Sequence, residues 1–315
     1  MRALLCTASL KGVLSARAAA AALARGVRES GGEAVELPVA DGGEGTGESL
    51  ATALGGTWRS EVVSDPLGRP VSATWLLLPD GRAVVEAAAA IGLPRLAAGE
   101  RDPLAASSRG FGELVQAALR SSPVALLLGL GGSATVDGGA GLREVVRELP
   151  VPTTVLCDVR TTLGGAARLF GPQKGATVEG VRLLEERLAA MADLRPYAEL
   201  SGSGAAGGLG AALAALGAEL VPGAETLLDR VGFDRRLAGC DVAVTGEGRI
   251  DETTREGKAP GVVADRCAAA GVRCVVFGGR VLEEVEGAET VSLSGDRSRA
   301  EPDLQELGAK LAVGE

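Results

Sequence analysis

Short apolar runs alternate with helix-length segments at both ends of the chain. Each run is dominated by Val, Leu and Ala and is bounded by turn residues, which is typical of a buried strand. These predicted strands span residues 3–6, 34–39, 241–244, 272–277 and 290–293. Helices are predicted between them, for example over about 15–30, where the apolar stripe ends at Gly31 and Gly32. Strands that alternate with helices in this way predict a doubly wound parallel sheet.

The middle of the chain has a different pattern. Residues 58–86 hold three short alternating runs separated by turn sequences at 66–68 and 79–81, which predicts antiparallel strands. Strands at 124–128 and 153–157 follow, with helices over about 108–119 and 178–191. We therefore predict an α/β protein in which a mixed α/β domain, residues 58–224, is inserted into a doubly wound domain formed by 1–57 and 225–315. A cleft is expected between the two domains.

Composition sets the type of core and the compartment. The 315 residues are enough for two cores, and with 46% hydrophobic but only 2% aromatic residues those cores must consist of Ala, Val and Leu. The five cysteines are widely spaced without a CxxC pair, which indicates reduced thiols in a cytoplasmic protein. The N-terminus does not resemble a secretory signal, and no apolar run is long enough to cross a bilayer. We therefore expect no membrane partner.

Charge and the absence of histidine exclude several functions. The net charge of −9, without any basic run, argues against a nucleic-acid partner because phosphates would be repelled. The chain has no histidine, which excludes a Ser-His-Asp triad and histidine-ligated zinc. Acid-base chemistry must then come from carboxylates or lysines.

Charged residues follow the predicted strands of the doubly wound domain. Ser9 and Lys11 come after the first strand, and Asp41 and Glu44 flank a Gly-Gly pair after the second. The carboxyl ends of parallel strands are where ligands bind, so these loops are expected to line one wall of the cleft. The segment around Asp41 is either a magnesium or polar-ligand loop or an acidic helix N-terminus. We expect no role for its glycine pair in core packing.

The stretch from Val242 to Ala264 concentrates the most chemistry. Glu247, Arg249 and Asp251 follow a buried strand, and two glycines among them permit positive φ or the close approach of a ligand. Lys258 precedes a helix with a proline in its first turn. The alternative interpretation is a solvated loop with surface charges.

The inserted domain contributes two glycine-rich segments. Residues 129–141 leave a strand with six glycines around two hydroxyl groups and one carboxylate, so their backbone amides form a predicted anion nest. Residues 202–207 match a dinucleotide-binding fingerprint, but no buried strand precedes them. We interpret this second segment either as a helix N-terminus available to a phosphate or as a site of close packing.

Six motifs resemble those of one family. SLKGVLSA, VADGGEGT, GLGGSATVDGGAG, FGPQKGA, GSGAAGGLGAAL and VTGEGRIDETTREGKAP occur in the order found in the type I glycerate kinases of bacteria. The resemblance implies two α/β domains and ATP-dependent, magnesium-requiring phosphorylation of D-glycerate. The product would be 2-phosphoglycerate or 3-phosphoglycerate.

Roles for individual residues follow from this resemblance. Lys11 and Lys174 would contact the transferring phosphate or the glycerate carboxylate, and Asp158 or Asp251 would accept the hydroxyl proton. Asp41, Glu44 and Glu247 would hold magnesium. The predicted substrate or phosphate contacts are Ser9, Gly131, Gly132, Ser133, Thr135, Asp137, Gln173, Lys174, Gly204 and Lys258.

Some positions depart from the family pattern. The residues that differ are Ala8, Leu10, Val136, Thr161, Thr162 and Thr253, and the stretch between Gly141 and Val155 is shorter than usual. Two alternatives to a glycerate kinase therefore stay open. One is a kinase for another small hydroxy acid or polyol, and the other is a non-catalytic relative that binds an organic acid or nucleotide. The sequence also leaves open whether the chain forms a homo-oligomer.

Overall fold

Two sheets, each with its own helices, organise the chain. A computed structural model describes residues 1–255 and 257–314; Glu256, which falls in the last of the matching motifs, and Glu315 lie outside the described residues. The strands are β1 (Arg2–Thr7), β2 (Glu33–Glu36), β3 (Thr57–Ser64), β4 (Pro70–Leu77), β5 (Arg82–Glu86), β6 (Ala125–Gly129), β7 (Thr153–Cys157), β8 (Glu219–Pro222), β9 (Val242–Ile250), β10 (Arg273–Val281) and β11 (Glu289–Ser292). The helices are α1 (Ala16–Glu29), α2 (Thr46–Leu54), α3 (Ala87–Ile91), α4 (Arg109–Leu119), α5 (Ala140–Val145), α6 (Ala166–Phe170), α7 (Val178–Ala189), α8 (Ala205–Ala215), α9 (Gly223–Arg230), α10 (Phe233–Leu237), α11 (Ala259–Ala270) and α12 (Ala300–Val313).

The chain divides into two compact units. The first unit contains Met1–Asp41, Glu48–Ala53 and Ala224–Glu315, and the second contains Gly42–Gly47 and Leu54–Gly223. The predicted domain ranges differ from these units chiefly at residues 42–47. The predicted domain boundaries, with 58–224 inserted between 1–57 and 225–315, stay a prediction. The cleft between the two domains also stays a prediction.

The first unit contains a parallel sheet of five strands. Their order is β11-β10-β9-β1-β2, which is 2-1-3-4-5 when these strands are numbered along the chain. The order reverses between β1 and β9, and in doubly wound sheets a crevice opens at that point, outside the carboxyl ends of the strands. The prediction of a doubly wound parallel sheet is confirmed.

Apolar side chains cover both faces of this sheet. Leu5, Val244 and Phe277 pack against α1 and α12 on one face. Because side chains alternate along a strand, Cys6 and Cys274 point to the other face, where α11 supplies the hydrogen-bonded thiol of Cys267. Burial on both faces explains why these strands appear in the sequence as continuous apolar runs.

Strand β9 is longer than the sequence predicts. Residues 246–250, which were expected to form a loop, continue the strand and pair with residues 277–281 of β10. A Cβ atom at Gly246 would lie 2.2 Å from the carbonyl oxygen of Phe277, so glycine is needed here for close approach of the two strands. The φ of Gly246 and of Gly248 is outside the left-handed region. The pairing of β9 with β1 stops at Gly246 opposite Thr7.

Strand β2 is shorter than predicted. It ends at Glu36, although the N–H groups of Leu37 and Val39 still donate to the carbonyl oxygens of Leu5 and Thr7 at 2.9 Å. Pro38 stands between them and has no N–H to offer, so the regular ladder is interrupted there.

The second unit contains a mixed sheet of six strands. Its order is β3-β4-β5-β6-β7-β8, with antiparallel pairs up to β5 and parallel pairs from β5 to β8. Helices α3, α4, α5 and α8 pack on this sheet around Phe111, Leu114 and Leu209. The prediction of a second, mixed α/β part with three antiparallel strands at its start is confirmed.

Two sequence expectations concern thiols and membranes. The five cysteines are free, and four of them are buried. Within residues 1–255 and 257–314, the structure contains no helix both long and apolar enough to cross a membrane.

The contact of α4 with β3 gives a stability prediction. A Cβ atom at Gly110 would lie 1.7 Å from the carbonyl oxygen of Ser64, and a backbone atom cannot move aside as a flexible side chain can. Alanine gains about 1 kcal/mol over glycine in a helix, but overpacking should outweigh this gain. We expect Gly110→Ala to lower the free energy of unfolding by about 2 kcal/mol or more, measured by urea denaturation.

Gly99→Ala is the matched control. A Cβ atom at Gly99 meets nothing within 4 Å, so this variant should stay within about 0.5 kcal/mol of the wild type. Equal stability of the two variants would contradict the proposed contact between α4 and β3.

Candidate functional site

A pocket lies in the first unit at the carboxyl ends of β1, β9 and β10. Its volume is about 410 Å³. The lining contains the loop after β1, the extension of β9 and β10, and the segment before α12. The charged residues that line it are Lys11, Glu247, Arg249, Asp251, Lys258, Arg280, Asp296, Arg297 and Asp303.

Glu247 is a largely buried carboxylate of this pocket. Its side chain is 15% exposed and its Oε1 accepts hydrogen bonds from Thr254 Oγ1 at 3.1 Å and from Lys258 Nζ at 3.4 Å. Burial raises the pKa of Glu247, and the Lys258 ammonium opposes this rise. Glu247 and Lys258 therefore form an ion pair within this stretch.

Asp251 lies beside this pair but has the opposite pKa shift. Its Oδ1 accepts hydrogen bonds from the Thr253 hydroxyl at 2.6 Å and the Thr253 N–H at 3.1 Å, and these bonds lower the pKa of Asp251. Arg249 Nε lies 2.8 Å from Asp251 Oδ2, and Lys258 Nζ lies 4.0 Å from Oδ1. Asp251 is thus held as a carboxylate.

Asp41, predicted to hold magnesium, is within electrostatic reach of Glu247, whose pKa it raises. Both belong to the first unit. In the part of the chain that the structure describes, no group of three or more His, Cys, Asp or Glu residues is arranged to hold a metal ion. Asp41 and Glu247, two of the predicted magnesium ligands, therefore lie within electrostatic reach of each other in the first unit.

The loop after β1 supplies Ser9 and Lys11 to the pocket. Two of the positions that depart from the family pattern lie here. The N–H of Ala8 donates to Gly246 O at 3.0 Å, and Leu10 is buried in the apolar cluster beneath α12. The short stretch between them is thereby fixed against β9.

In the second unit, Lys174 joins two of the residues of the predicted nest. It is 4% exposed, and its ammonium donates to Ser133 Oγ at 3.1 Å and to Thr135 O at 2.8 Å. The Phe170 ring lies 5.6 Å from the Lys174 nitrogen. Thr135 Oγ1 is buried and makes no hydrogen bond to the described residues. Lys174 is therefore buried against this loop and fixes it by hydrogen bonds, and it is not exposed to solvent.

Burial lowers the pKa of Lys174 to about 7, and the charge of Asp137 opposes this shift. A buried lysine of this kind is neutral in a large fraction of molecules near neutral pH. As a neutral amine it can still donate to Ser133 and Thr135.

Asp137 has a structural role in the same loop. Its carboxylate accepts hydrogen bonds from the Ser108 N–H and hydroxyl at 2.8 and 2.7 Å and from the N–H groups of Gly139 and Gly141 at 3.1 Å. It thereby fixes the start of α5. Its predicted contact with substrate stays a prediction beside this role.

The glycine pair at residues 42–43 does serve packing, contrary to expectation. Both glycines belong to the second unit, where a Cβ at Gly42 would lie 2.7 Å from Leu156 Cβ. A Cβ at Gly131 would lie 2.4 Å from Gly43 Cα. Gly131 is therefore also a packing residue, and its N–H donates to Gly42 O at 3.3 Å.

The other predicted site residues of the second unit lie in different environments. Glu44 and Gln173 are exposed, and Asp158 is half-buried at the end of β7. Gly132 is in the left-handed region at φ 77°. Gly204 packs on the 161–162 backbone, since a Cβ there would lie 2.3 Å from Thr162 O.

The segment after Gly204 is not a regular helix start. Ala206, Gly207 and Gly208 have positive φ, and the N–H groups of Gly207 and Gly208 donate back to Gly204 O. Close packing, one of the two interpretations of this motif, therefore describes the observed structure.

Sequence reasoning missed two cations of the pocket. Arg280 follows predicted strand 272–277, and Arg297 follows predicted strand 290–293. The rule that selected Lys11 and Asp251, that ligands bind at the carboxyl ends of parallel strands, would have selected both if applied to these strands.

Comparison with known proteins identifies a family. The model of the glycerate kinase family matches residues 3–147 and 145–295. A glycerate kinase of Bacillus subtilis is 37% identical, over 90% of this chain and 86% of that protein. A glycerate 2-kinase of Escherichia coli is 38% identical, over 84% of this chain and 81% of that protein.

A solved structure is similar as well. A protein from Salmonella typhimurium LT2 assigned as glycerate kinase 2 has a TM-score of 0.84 and 33% identity, over 100% of this chain and 98% of that one. The two segments matched by the family model meet at residues 145–147, within the stretch predicted to be shortened. In the structure α5 ends there and only residues 146–152 lead to β7.

The buried amine of Lys174 predicts how stability depends on pH. A lysine in the unfolded chain keeps its proton to about pH 10, whereas folded Lys174 releases it near pH 7. Between these values the unfolded state binds more protons, so the free energy of unfolding rises with pH. We expect the wild type to gain roughly 1 kcal/mol per pH unit relative to Lys174→Met.

Urea denaturation from pH 6 to pH 9 measures this difference. Lys310→Met, at an exposed position of α12, is the control and should have the wild-type slope. Parallel pH profiles for the wild type and Lys174→Met would show that the buried amine stays protonated.

Proposed function

This chain belongs to the glycerate kinase family, and we propose that it transfers the terminal phosphate of ATP to a hydroxyl group of D-glycerate. The observation that carries the proposal is the pocket at the switch point of the first unit. Lysines and carboxylates from three chain segments converge there without any histidine. Phosphoryl transfer depends mainly on alignment and charge stabilisation, which such a set can supply.

Lys11 and Lys258 are the proposed phosphate contacts of this pocket. Lys11 is exposed in the loop after β1, whereas Lys258 is held by Glu247 and is 30% exposed. A lysine fixed in place loses little freedom when a phosphate binds to it. Lys258 is therefore the better positioned of the two before substrate arrives.

The residues of the first unit fit a magnesium ion that arrives with the nucleotide. Magnesium is commonly held by one or two carboxylates, together with water and substrate phosphates. Asp41 and Glu247 are two carboxylates within electrostatic reach of each other. When bound, the ion would neutralise charge on the phosphates. Glu44 remains a proposed further ligand.

The acceptor hydroxyl needs a group that orients it and receives its proton. Asp251 is our candidate in the first unit and Asp158 in the second. Because Thr253, Lys258 and Arg249 lower the pKa of Asp251, it keeps its negative charge and suits orientation more than strong general-base catalysis. A loose transition state makes only a small demand for a base.

The loop from Gly131 to Thr135 is the proposed contact for the carboxylate or a phosphate of the substrate. Lys174 supports it through Ser133 and Thr135. Since the Lys174 ammonium is buried, its effect on substrate would pass through this loop. Ser133, Thr135 and Gly132 are therefore the closer contacts in this proposal.

The partners that we propose are small molecules. A net charge of −9 opposes binding to nucleic acid. Five free cysteines suit a reducing compartment, which supports a cytoplasmic location.

Incubation with ATP, magnesium and a panel of hydroxy acids and polyols tests the function. We expect D-glycerate to be phosphorylated, with NMR of the product distinguishing the 2-phosphate from the 3-phosphate. Preferred turnover of another acceptor would establish a kinase of different specificity. Binding of glycerate or ATP without turnover would establish a non-catalytic relative.

Lys258→Met tests the pocket directly. Removing the ammonium leaves Glu247 and Asp251 without the cation that both approach. We expect kcat/KM for phosphorylation to fall about 100-fold, equivalent to about 3 kcal/mol of transition-state stabilisation. Steady-state kinetics with each substrate varied in turn gives this value.

Lys310→Met again serves as control, since that lysine is exposed and does not line the pocket. Wild-type kinetics in Lys258→Met would mean that the charged set around Glu247 takes no part in the reaction.

A further inference from the structure

We infer that the pocket of the first unit is the nucleotide site, with Lys11, Arg280 and Arg297 binding the polyphosphate. The inference rests on the proposed function and adds to it which substrate occupies this pocket. Arg280 and Arg297 acquire a specific role as contacts for the nucleotide.

The volume of the pocket favours a large ligand. At about 410 Å³ it lies in the range of sites for drug-sized molecules. A three-carbon acid would fill only a small part of it, whereas a nucleotide would occupy most of it. Size therefore favours ATP over glycerate as the occupant.

The charges of the pocket leave a surplus of cations. Arg249 is paired with Asp251, and Lys258 is paired with Glu247. The two other carboxylates also have partners, since Asp303 is bonded to Arg299 and Asp296 to Ser298. Among the residues that the structure describes, no ion pair involves the three remaining cations, Lys11, Arg280 and Arg297.

Within the described residues, three cations at this pocket thus make no ion pair although the net charge is −9, and Arg297 donates a hydrogen bond to Gly12 O at 3.3 Å. Arg280 also stands directly opposite Arg249 in the register of β10 and β9, and like charges at such positions destabilise a sheet. An anion bound between them would remove this repulsion. A triphosphate carries enough charge to satisfy all three cations, which a single carboxylate does not.

The rest of the lining suits the other end of a nucleotide. Leu10, Val13, Leu293 and Ala300 supply an apolar surface. The backbone at Gly248 and Gly279 is also exposed in the pocket. A Cβ at Gly248 would come no nearer than 3.8 Å to the described atoms of other segments, Leu10 Cα and Lys11 N. The space beside Gly248 is thus open to a ligand.

Arg280→Met is the principal test. We expect the dissociation constant for ATP, measured by calorimetry without an acceptor, to rise at least about tenfold. The KM for ATP should rise similarly and the KM for glycerate should stay within about twofold. Arg273→Met is the matched control, because Arg273 is on the same strand but is paired with Glu289 and does not line the pocket.

Gly248→Ala supplies a second variant that does not alter charge. The added Cβ atom would lie 3.8 Å from the nearest described atoms of other segments, an ordinary van der Waals distance, so the protein should fold with wild-type stability. Because the methyl group would take up space in the pocket, ATP binding should weaken by about tenfold here too.

The outcomes separate this inference from the proposed function. Weaker ATP binding in both variants supports the nucleotide site even if the protein phosphorylates no glycerate. Unchanged ATP affinity in both variants overturns it even if glycerate is phosphorylated normally. A rise confined to the KM for glycerate also overturns it, since the pocket would then belong to the acceptor.

Discussion

The pocket of the first unit depends on the continuation of β9 and β10 as a pair beyond the end of β1. This continuation requires glycine at position 246, where the Phe277 carbonyl oxygen would meet a Cβ at 2.2 Å. Since β1 ends at Thr7, the chain beyond it is free to form the loop that carries Ser9 and Lys11. A side chain at position 246 would push apart the strands that support Glu247 and Arg280. One steric constraint in the backbone thus determines where the charged groups stand.

Asp137 and Glu247 are both carboxylates, but their different surroundings give them different roles. Asp137 accepts hydrogen bonds from neutral N–H and O–H groups and holds a loop. Glu247 has a lysine and a threonine hydroxyl as partners, lies in a pocket, and its pKa is raised by burial. A carboxylate that is costly to bury and only partly compensated is better suited to bind a ligand cation or contact a substrate.

Local patterns in the sequence predicted the first strand, α1 and the three antiparallel strands, because periodicity is set by which faces are buried. The extension of β9 was missed because its sequence, with glycines and charges in alternation, resembles a loop. Its partner strand lies more than twenty residues further along the chain, and only that pairing makes it a strand. The partners of Asp137 and Glu247 escaped prediction for the same reason. Ser108 comes from another segment, and the space around Lys174 depends on the packing of Phe170 and the nest.

Three of the residues that depart from the family pattern lie at positions where this fold accommodates them. Leu10 is 3% exposed and Val136 is fully buried, and both pack in apolar clusters. A polar side chain at either position would need a hydrogen-bond partner that these clusters do not offer. Thr253 uses its hydroxyl to orient Asp251. Leu10 and Val136 therefore contribute to the core and Thr253 supports a site carboxylate, while Lys11, Glu247, Asp251 and Lys258 line the pocket. This distribution indicates a family member that has kept its site and repacked the surrounding core. A chain that had lost the site would first be expected to lose the charged groups that are costly to bury.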